Sequence, residues 1–344
     1  MVVEKKQSNP VYATYFDSRY LARGLALINS MRRFDLSTNF AVLALDSEVD
    51  DYFRTNPIDN LTVITLSELM SFEPRLREIE GQRTRMEFIF TLTPILVSKV
   101  LSLNTKASHA IYLDADLYFF EDPELVLQAL GNHDVGVIPH NYTKSNQEKL
   151  SKFGTYNVGW VAFRNTELGN QCLEYWYSEC LEWCFDKPSN GKYADQGYLD
   201  NFDTVIPTVK VISSLKFNLA PWNVARGSLS VNEGAVSVDS EPLVFFHFHG
   251  VKKFGRFWVT AESTYGTKLN MTSRRHIYRP YLQNVNQISS ALASSRVLPQ
   301  SKPLVRGRGI GAWLGSRLGL LLVVRRLCAG SAIYIREASY DPTK

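Results

Sequence analysis

The chain has few cysteines and no long apolar run, and these absences exclude several classes of protein. Four cysteines in 344 residues are too few for a disulfide framework. Cys172, Cys180 and Cys184 have no second ligand pair nearby that would complete a zinc site. No run of apolar residues reaches the roughly 18 to 20 needed to cross a bilayer, and no signal peptide follows Met1. We therefore expect a cytoplasmic protein with buried, reduced thiols.

Charge is distributed unevenly along the chain. The net charge is +4, but residues 291–344 carry nine basic and two acidic side chains, a net +7, which leaves −3 on the rest. This segment also contains the apolar run 318–324, followed by Arg325 and Arg326. Basic groups around a short apolar stretch suit the surface of an anionic membrane; an amphipathic helix docked on the globule is the alternative. The slightly acidic body and the absence of a recognition motif argue against nucleic-acid binding.

Residues 11–140 alternate short β-like runs with helical patterns, which is typical of strands joined by crossover helices. We expect helices over 18–33, where Asp17 or Ser18 would be the N-cap, and from Thr93-Pro94 to about Leu103. The other predicted helices cover 123–130, 168–184 and the stretch from Pro280. Strands are predicted at 11–16, 40–45, 61–66, 110–113, 158–163, 205–212 and 243–249. The pattern predicts an α/β fold with a mixed, mostly parallel sheet flanked by helices and a C-terminal helical basic extension.

Two aspartates end the very apolar predicted strand at 110–113. If Asp114 and Asp116 continue the extended chain, both carboxylates project to the same face. Burying two like charges without a partner costs several kcal/mol, and a divalent cation removes that conflict. Hard oxygen ligands favour Mn²⁺ or Mg²⁺. A solvated turn that carries two acids is the alternative, because Asp-x-Asp alone is a common sequence.

A second polar cluster interrupts an aromatic strand at 245–249. His247 and His249 share one face of this strand, and Gly250 lets the backbone approach a bound group closely. Lys253 supplies a point charge suited to phosphate. The spacing His-x-x-Gly-x-x-Lys is more specific than any of its members, since a single histidine in an aromatic strand is more often a hydrogen-bonded core residue.

Four motifs occur in the order seen in GT-A nucleotide-sugar glycosyltransferases: Tyr-Leu-Asp-Ala-Asp-Leu at 112–117, Tyr-Asn-Val-Gly at 156–159, Ala-Asp-Gln at 194–196 and the His-x-x-Gly-x-x-Lys run. The chain most resembles the retaining branch that includes glycogenin and the bacterial lipopolysaccharide galactosyltransferases, together with uncharacterised bacterial members. The resemblance covers about residues 11–260. It implies a GT-A domain over 1–268, followed at 269–344 by a helix and a basic tail able to associate with a membrane.

The resemblance also implies roles for individual residues. The metal ligands would be Asp114, Asp116 and His247. The donor would contact Asp17 at uracil, Asp114 at ribose, and Gly250 and Lys253 at the diphosphate; Asn157, Asp195 and Gln196 would line the donor sugar and the reacting carbon. The arginine expected on the helix before the Asp-x-Asp strand is not evident near Pro94. Each residue also has an ordinary structural explanation: Asp17 as a helix cap, Asn157 in a turn, Asp195 at a helix start and Trp222 in the core.

The function implied is metal-dependent transfer of a hexose from a UDP-sugar to a glycan, lipid-linked or protein hydroxyl, with retention, in bacterial surface polysaccharide synthesis. Retention is achieved either by same-face attack or through a covalent adduct on Asp195. Two alternatives stay open: an inverting transferase of the same fold, and an inactive nucleotide-sugar-binding scaffold at the inner face of a membrane. A nucleotidylyltransferase fits less well, because no glycine lies in the stretch 14–19 after the first strand.

Overall fold

The computed structural model describes residues 9–294, 324–325 and 328–335. Most of the basic segment at 291–344 lies outside these residues, including all of the apolar run 318–324 except Val324. The prediction that this segment binds a membrane therefore concerns residues outside the described ones. Of the four cysteines, Cys172, Cys180 and Cys184 are buried and free, as expected, whereas Cys328 is exposed.

Fifteen strands and ten α-helices make up the described residues. The strands are β1 (Val11–Phe16), β2 (Asn39–Ala44), β3 (Leu61–Thr65), β4 (His109–Leu113), β5 (Leu117–Phe119), β6 (Val135–Pro139), β7 (Tyr156–Arg164), β8 (Val209–Val211), β9 (Leu229–Asn232), β10 (Ala235–Val238), β11 (Glu241–Pro242), β12 (Phe245–His247), β13 (Lys252–Phe254), β14 (Phe257–Val259) and β15 (Ala332–Tyr334). The helices are α1 (Leu21–Arg32), α2 (Ser47–Thr55), α3 (Leu66–Phe72), α4 (Leu76–Glu80), α5 (Arg85–Leu103), α6 (Glu124–Leu130), α7 (Leu150–Phe153), α8 (Glu167–Glu182), α9 (Phe202–Val205) and α10 (Arg279–Ser294). Short 3₁₀ turns cover Lys144–Lys149, Gln196–Asn201 and Glu262–Tyr265, and a π-helical turn, Ser273–Tyr278, leads into α10.

A seven-stranded sheet forms the centre of the fold, in the order β3-β2-β1-β4-β7-β6-β8. The pairs β1–β2, β2–β3, β1–β4 and β6–β8 are parallel, whereas β7 runs antiparallel to β4 and β6. The predicted class, a mixed and mostly parallel sheet flanked by helices, is therefore confirmed.

Helices cover both faces of the sheet. Successive side chains of a strand point to opposite faces, so a strand that is apolar throughout has to be covered on both. In β1, Val11 and Ala13 join a core cluster that includes α5 and α8, whereas Tyr12 and Phe16 join a cluster on the opposite face with α1, α2 and α6. The strands β1 and β4 are parallel neighbours, so their carboxyl ends lie at the same edge of the sheet, where a parallel sheet usually binds its ligands.

The helix before β4 is longer than predicted. It begins at Arg85, eight residues before the predicted start, and continues through Pro94 to Leu103. A capping box fixes its start: the Thr84 hydroxyl accepts from the Glu87 backbone N–H, and the Glu87 carboxylate accepts from the Thr84 N–H. Among the described residues, α5 alone is long and apolar enough to span a membrane, but more than half of its most apolar window is buried in the protein.

The predicted cap of the first helix is wrong. Helix α1 begins at Leu21, and its N-cap position is Tyr20, which makes no side-chain capping hydrogen bond. Asp17 and Ser18 precede this position. The Ser18 N–H and hydroxyl both donate to Asp46, the N-cap of α2, at 2.8 Å. The polar residues after β1 therefore connect neighbouring loops instead of starting the helix.

Among the described residues, three small sheets accompany the central one, and the first is the antiparallel set β11-β10-β9. Strand β5 pairs antiparallel with β12, and Leu117 lies opposite His247. Strands β13, β14 and β15 form a separate sheet, in which β15 returns from the C-terminal segment to pair with β14. Helix α10 packs against α1. Contacts therefore cross the predicted domain boundary at residue 268.

Candidate functional site

The turn between β4 and β5 carries both aspartates of the Asp-x-Asp motif. Asp114 follows β4 directly, its N–H donating to the Gly159 carbonyl at 3.0 Å, and its own carbonyl accepts from Leu117 N–H at 3.1 Å. Asp114 and Asp116 are thus placed by a tight turn and not, as the sequence suggested, by two further residues of extended strand. The Phe248 N–H donates to the Asp116 carbonyl at 2.9 Å, which fastens this turn to the end of β12.

The turn brings both carboxylates to one imidazole nitrogen. His247 Nε2 lies 3.5 Å from Asp114 Oδ2 and 3.1 Å from Asp116 Oδ1. One ligand atom from each of the three residues lies within 4.8 Å of the other two, which is close enough for all three to bind one cation. His247 is buried, with 3% of its surface exposed, so an unpaired charge in this position would be unfavourable. The three predicted metal ligands are therefore brought together.

Asn157 determines which nitrogen of His247 faces the carboxylates. Asn157 Oδ1 accepts from the Gly159 backbone N–H at 3.2 Å and from Asn218 Nδ2 at 3.0 Å, so this atom is an acceptor. His247 Nδ1, 3.2 Å from the same oxygen, must then donate its proton. The neutral ring consequently presents a lone pair from Nε2 to Asp114 and Asp116. A lone pair facing two carboxylates is repulsive unless a proton or a cation lies between them, which is the arrangement of a metal-bound histidine.

The ionisation of the three groups reflects the same conflict. Burial raises the pKa of Asp114, and the attraction of His247 only partly offsets this effect. Burial also raises the pKa of Asp116. The attraction of His247 is stronger, and together with a contribution from Arg23 it lowers this pKa to about 2. The pKa of His247 is lowered by burial and raised more strongly by Asp116 and Asp114, so the net shift is upward. The cluster therefore favours a positive charge between its members, and its hard oxygen and imidazole donors fit a divalent cation such as Mn²⁺ or Mg²⁺.

Gln196 lies directly behind Asn157. Its Oε1 accepts from Asn157 Nδ2 at 3.1 Å, and its Nε2 donates to the Phe153 carbonyl at 2.7 Å. Both ends of the Gln196 amide are thus engaged by protein, and it orients Asn157, which in turn orients His247.

Asp195 has one carboxylate oxygen without a partner in the described part of the chain. Its side chain is buried, and among the described residues its Oδ2 atom has no hydrogen-bond partner. Burial raises the pKa of Asp195 to about 7, against a lowering contribution from Thr93. The residue before it, Ala194, has a φ of +46°, a left-handed conformation that is strained for alanine and typical of functional loops. Buried polar atoms are normally paired, so Oδ2 can accept or donate one further hydrogen bond.

The Asp17 carboxylate is engaged by two arginines. Asp17 is buried after β1, and it accepts from Arg19 Nε at 2.9 Å and from Arg85 Nη2 at 3.2 Å. Arg85 is the first residue of α5, the helix that precedes the Asp-x-Asp strand. The role of Asp17 toward uracil stays a prediction.

The loop after β12 and the strand β13 carry the other predicted donor contacts. Gly250 has a φ of +70°, which suits glycine, and a Cβ on it would lie 3.0 Å from the Ala261 Cβ. Lys253 Nζ donates to Asn286 Oδ1 of α10 at 2.7 Å and lies 5.4 Å from the centre of the Trp258 ring. Trp222 is buried and packs edge-on against His247, with ring centroids 5.1 Å apart, so it belongs to the wall of the site.

Sequence reasoning missed two residues that shape the site. Asn218 supports Asn157 from the loop before Trp222, and nothing in the local sequence singles it out. Tyr112, inside β4, donates its hydroxyl to Asp114 Oδ1 at 2.8 Å. Its position in the strand gives no sign of this contact, because Tyr112 is otherwise an ordinary buried aromatic residue.

No protein-family model matches the chain. Two proteins of Bacillus subtilis (strain 168), both described as uncharacterised, are similar in sequence. YfnF is 29% identical over 250 residues, which cover 70% of this chain and 81% of YfnF. YfnD is 24% identical over 294 residues, which cover 81% of this chain and 91% of YfnD.

Solved structures of similar fold include three glycosyltransferases. The galactosyltransferase LgtC, in complex with donor and acceptor sugar analogues, is 18% identical with a TM-score of 0.44, over 70% of this chain and 87% of that one. Mouse xyloside xylosyltransferase 1 is 12% identical with a TM-score of 0.44, over 70% and 98%. The glycosyltransferase GlyE of Streptococcus pneumoniae TIGR4 is 13% identical with a TM-score of 0.45, over 87% and 67%. At such identities the substrates of one chain say nothing about another, and the chemistry here rests on the chain's own residues.

Proposed function

We propose that the protein is a metal-dependent glycosyltransferase that moves a hexose from a nucleotide diphosphate sugar to an acceptor hydroxyl. The observation that carries this proposal is the convergence of Asp114, Asp116 and His247, with the Nε2 lone pair of His247 directed at both carboxylates. A divalent cation bound there would offset the charge that develops on the leaving diphosphate. The order of motifs that resembles nucleotide-sugar transferases supplies the choice of substrate class.

Individual residues have separate roles in the proposed reaction. The bond between the anomeric carbon and the phosphate oxygen breaks, the acceptor oxygen forms the new bond to that carbon, and the acceptor proton leaves with the phosphate. Lys253, at the loop after β12, is a fixed cation toward the diphosphate. Asp195 Oδ2, which has no partner among the described residues, binds a hydroxyl of the donor sugar. Asn157 and Gln196 hold His247 in one tautomer and orientation.

The state of Asp195 favours same-face attack as the route to retention. A carboxyl with a pKa of about 7 is substantially protonated at neutral pH, and a protonated carboxyl is a poor nucleophile. It is, however, a good hydrogen-bond donor as well as an acceptor. In this proposal the leaving phosphate accepts the acceptor's proton on the same face of the sugar, and no covalent adduct forms. NMR of the product anomer distinguishes this route from inversion.

The finer parts of the proposal come from the resemblance. The donor is a UDP-sugar with Asp17 at the uracil, the metal is Mn²⁺ or Mg²⁺, and the acceptor is a glycan, lipid-linked or protein hydroxyl in surface polysaccharide synthesis. The chain works in the cytoplasm, and its basic residues at 291–344 would bring it to the inner face of an anionic membrane.

Asp116→Asn tests the function, because it preserves the shape of the turn and removes one charge from the cation site. With a UDP-sugar and MnCl₂, we expect UDP release to fall by about 100-fold or more, while the exposed Asp203→Asn control keeps the wild-type rate. EDTA should abolish UDP release in the wild type, and added Mn²⁺ should restore it. Near-normal turnover by Asp116→Asn would refute the assignment. A thermal-shift screen of UDP-, GDP- and CDP-sugars selects the nucleotide beforehand.

A further inference from the structure

The two carboxylate oxygens of Asp114 have different surroundings. Oδ1 accepts from the Tyr112 hydroxyl at 2.8 Å, whereas Oδ2 lies 3.5 Å from His247 Nε2. The backbone of Asp114 is fixed as well, because its N–H donates to the Gly159 carbonyl at 3.0 Å. One oxygen is therefore engaged by a protein hydroxyl, and the other faces the candidate cation site.

The Tyr112 hydroxyl is a rigid donor. Tyr112 lies in β4, which pairs with β1 on one side and with β7 on the other. Only 1% of its surface is exposed, and its ring packs against the Tyr15 ring with centroids 5.4 Å apart. The Tyr15 hydroxyl lies 3.2 Å from Thr93 Oγ1 of α5. Because close packing holds a buried ring in one rotamer, the hydroxyl of Tyr112 stays at Asp114 Oδ1.

The orientation of the Asp114 carboxylate determines how many oxygens it can offer to a cation. The last torsion of an aspartate side chain is soft, so a carboxylate without a fixed partner can rotate to offer one oxygen or both. Ca²⁺ often binds both oxygens of one carboxylate, whereas Mg²⁺ requires short bonds in near-ideal octahedral geometry. Mn²⁺ shares the octahedral preference. A hydroxyl that holds Oδ1 therefore favours the smaller cations.

We propose that Tyr112 is a positioning residue for the cation site: its hydroxyl holds Asp114 so that Oδ2 alone binds the cation, which selects Mn²⁺ or Mg²⁺ over Ca²⁺. This inference rests on the proposed function, which supplies the cation. Tyr112 has the same relation to Asp114 as Asn157 has to His247. Each holds one atom of a metal ligand by a hydrogen bond and leaves the second atom for the metal.

Tyr112→Phe tests this role, because it removes the hydroxyl and keeps the ring that packs on Tyr15. MnCl₂ and, separately, CaCl₂ are titrated into the protein by calorimetry. We expect Mn²⁺ to bind about tenfold more weakly, the usual loss when the hydrogen-bond partner of a metal ligand is removed. Ca²⁺ should bind within about twofold of the wild type or more tightly, because the released carboxylate can offer both oxygens. The preference for Mn²⁺ over Ca²⁺ should therefore fall.

Tyr177→Phe is the matched control. Tyr177 of α8 is also buried, and its hydroxyl donates to a carboxylate oxygen, Glu73 Oε2, at 2.6 Å. The control thus loses the same kind of hydrogen bond without touching the cation site, and it should bind both cations as the wild type does. A crystal structure of the wild type with Mn²⁺ gives a second measurement that does not depend on the folding of a variant. It should show Oδ2 of Asp114 on the cation and Oδ1 still bonded to Tyr112.

The possible results separate this inference from the proposed function. An unchanged Mn²⁺ affinity in Tyr112→Phe, or an equal loss of Mn²⁺ and Ca²⁺ affinity, would refute the role of Tyr112. So would a crystal structure with both Asp114 oxygens on the cation, or a similar loss of preference in Tyr177→Phe. Mn²⁺-dependent UDP release by the wild type would in each case leave the proposed function standing. If the wild type binds no Mn²⁺ even with UDP present, the proposed function fails, and the role of Tyr112 fails with it.

Discussion

Replacing Asp195 with asparagine should make the protein more stable at alkaline pH. The carboxyl is buried with an unpaired Oδ2, and its pKa is raised from 3.8 to about 7. Asparagine has nearly the same shape but never carries the charge that burial opposes. The variant therefore isolates the energetic cost of ionising this one group inside the fold.

The sign and size of the effect follow from proton linkage. Because the folded-state pKa is the higher one, the folded protein binds more protons than the unfolded chain between about pH 4 and pH 7, and its stability falls as the pH rises through that range. A rise of about three pH units, at about 1.4 kcal/mol per unit, corresponds to about 4 kcal/mol. Asp195→Asn should thus be close to the wild type near pH 4 and more stable by up to about 4 kcal/mol above pH 8.

Urea denaturation at several pH values between 4 and 8.5, with EDTA present to remove metal, measures the difference directly. The exposed Asp203→Asn variant serves as the control and should show no such trend. If the difference in unfolding free energy between Asp195→Asn and the wild type stays constant across this range, the pKa of Asp195 is the same in the folded protein as in the unfolded chain. The argument that it is protonated near neutral pH, and the preference for same-face attack, would then be wrong.

Two further variants test the geometry of the site and the fold around it. A Cβ on Gly159 would lie 2.8 Å from the His247 ring, so Gly159→Ala should displace the imidazole and weaken Mn²⁺ binding by about tenfold or more, as measured by calorimetry. Gly81→Ala, where the nearest atom is 3.8 Å away, should bind Mn²⁺ normally; equal affinities in the two variants would contradict the assignment of His247 as a ligand. Thr84→Ala removes the capping box with Glu87 and should lower the free energy of unfolding by about 1 kcal/mol in urea. An unchanged unfolding midpoint would show that the box does not stabilise α5.

Local sequence patterns predicted most strands of the central sheet but missed β6 and misplaced the starts of α1 and α5. Alternation and β-branched content define β1 to β4 within a residue or so. Pro94 suggested a first turn, yet it lies in the middle of α5, where packing overrides its unfavourable propensity. The capping-box pattern of Thr84 and Glu87 was present in the sequence and predicts the true start.

The sequence predicted site residues only where they belong to a recognisable motif. Asp114 and Asp116 stand out because they follow an apolar strand, but nothing local to them indicates His247, and the resemblance alone connected these residues. Their turn geometry depends on the pairing of β5 with β12, which no local pattern shows.

The pairing of β5 with β12 has a consequence for how the chain holds together. The two strands are separated by about 130 residues, and the aspartates lie just before one strand while the histidine ends the other. A cation bound there would join the two ends of that long loop and oppose their separation, much as a covalent cross-link would. A chain cut once within the exposed stretch 186–190 should therefore keep its two fragments associated in Mn²⁺ and let them separate more readily in a chelator.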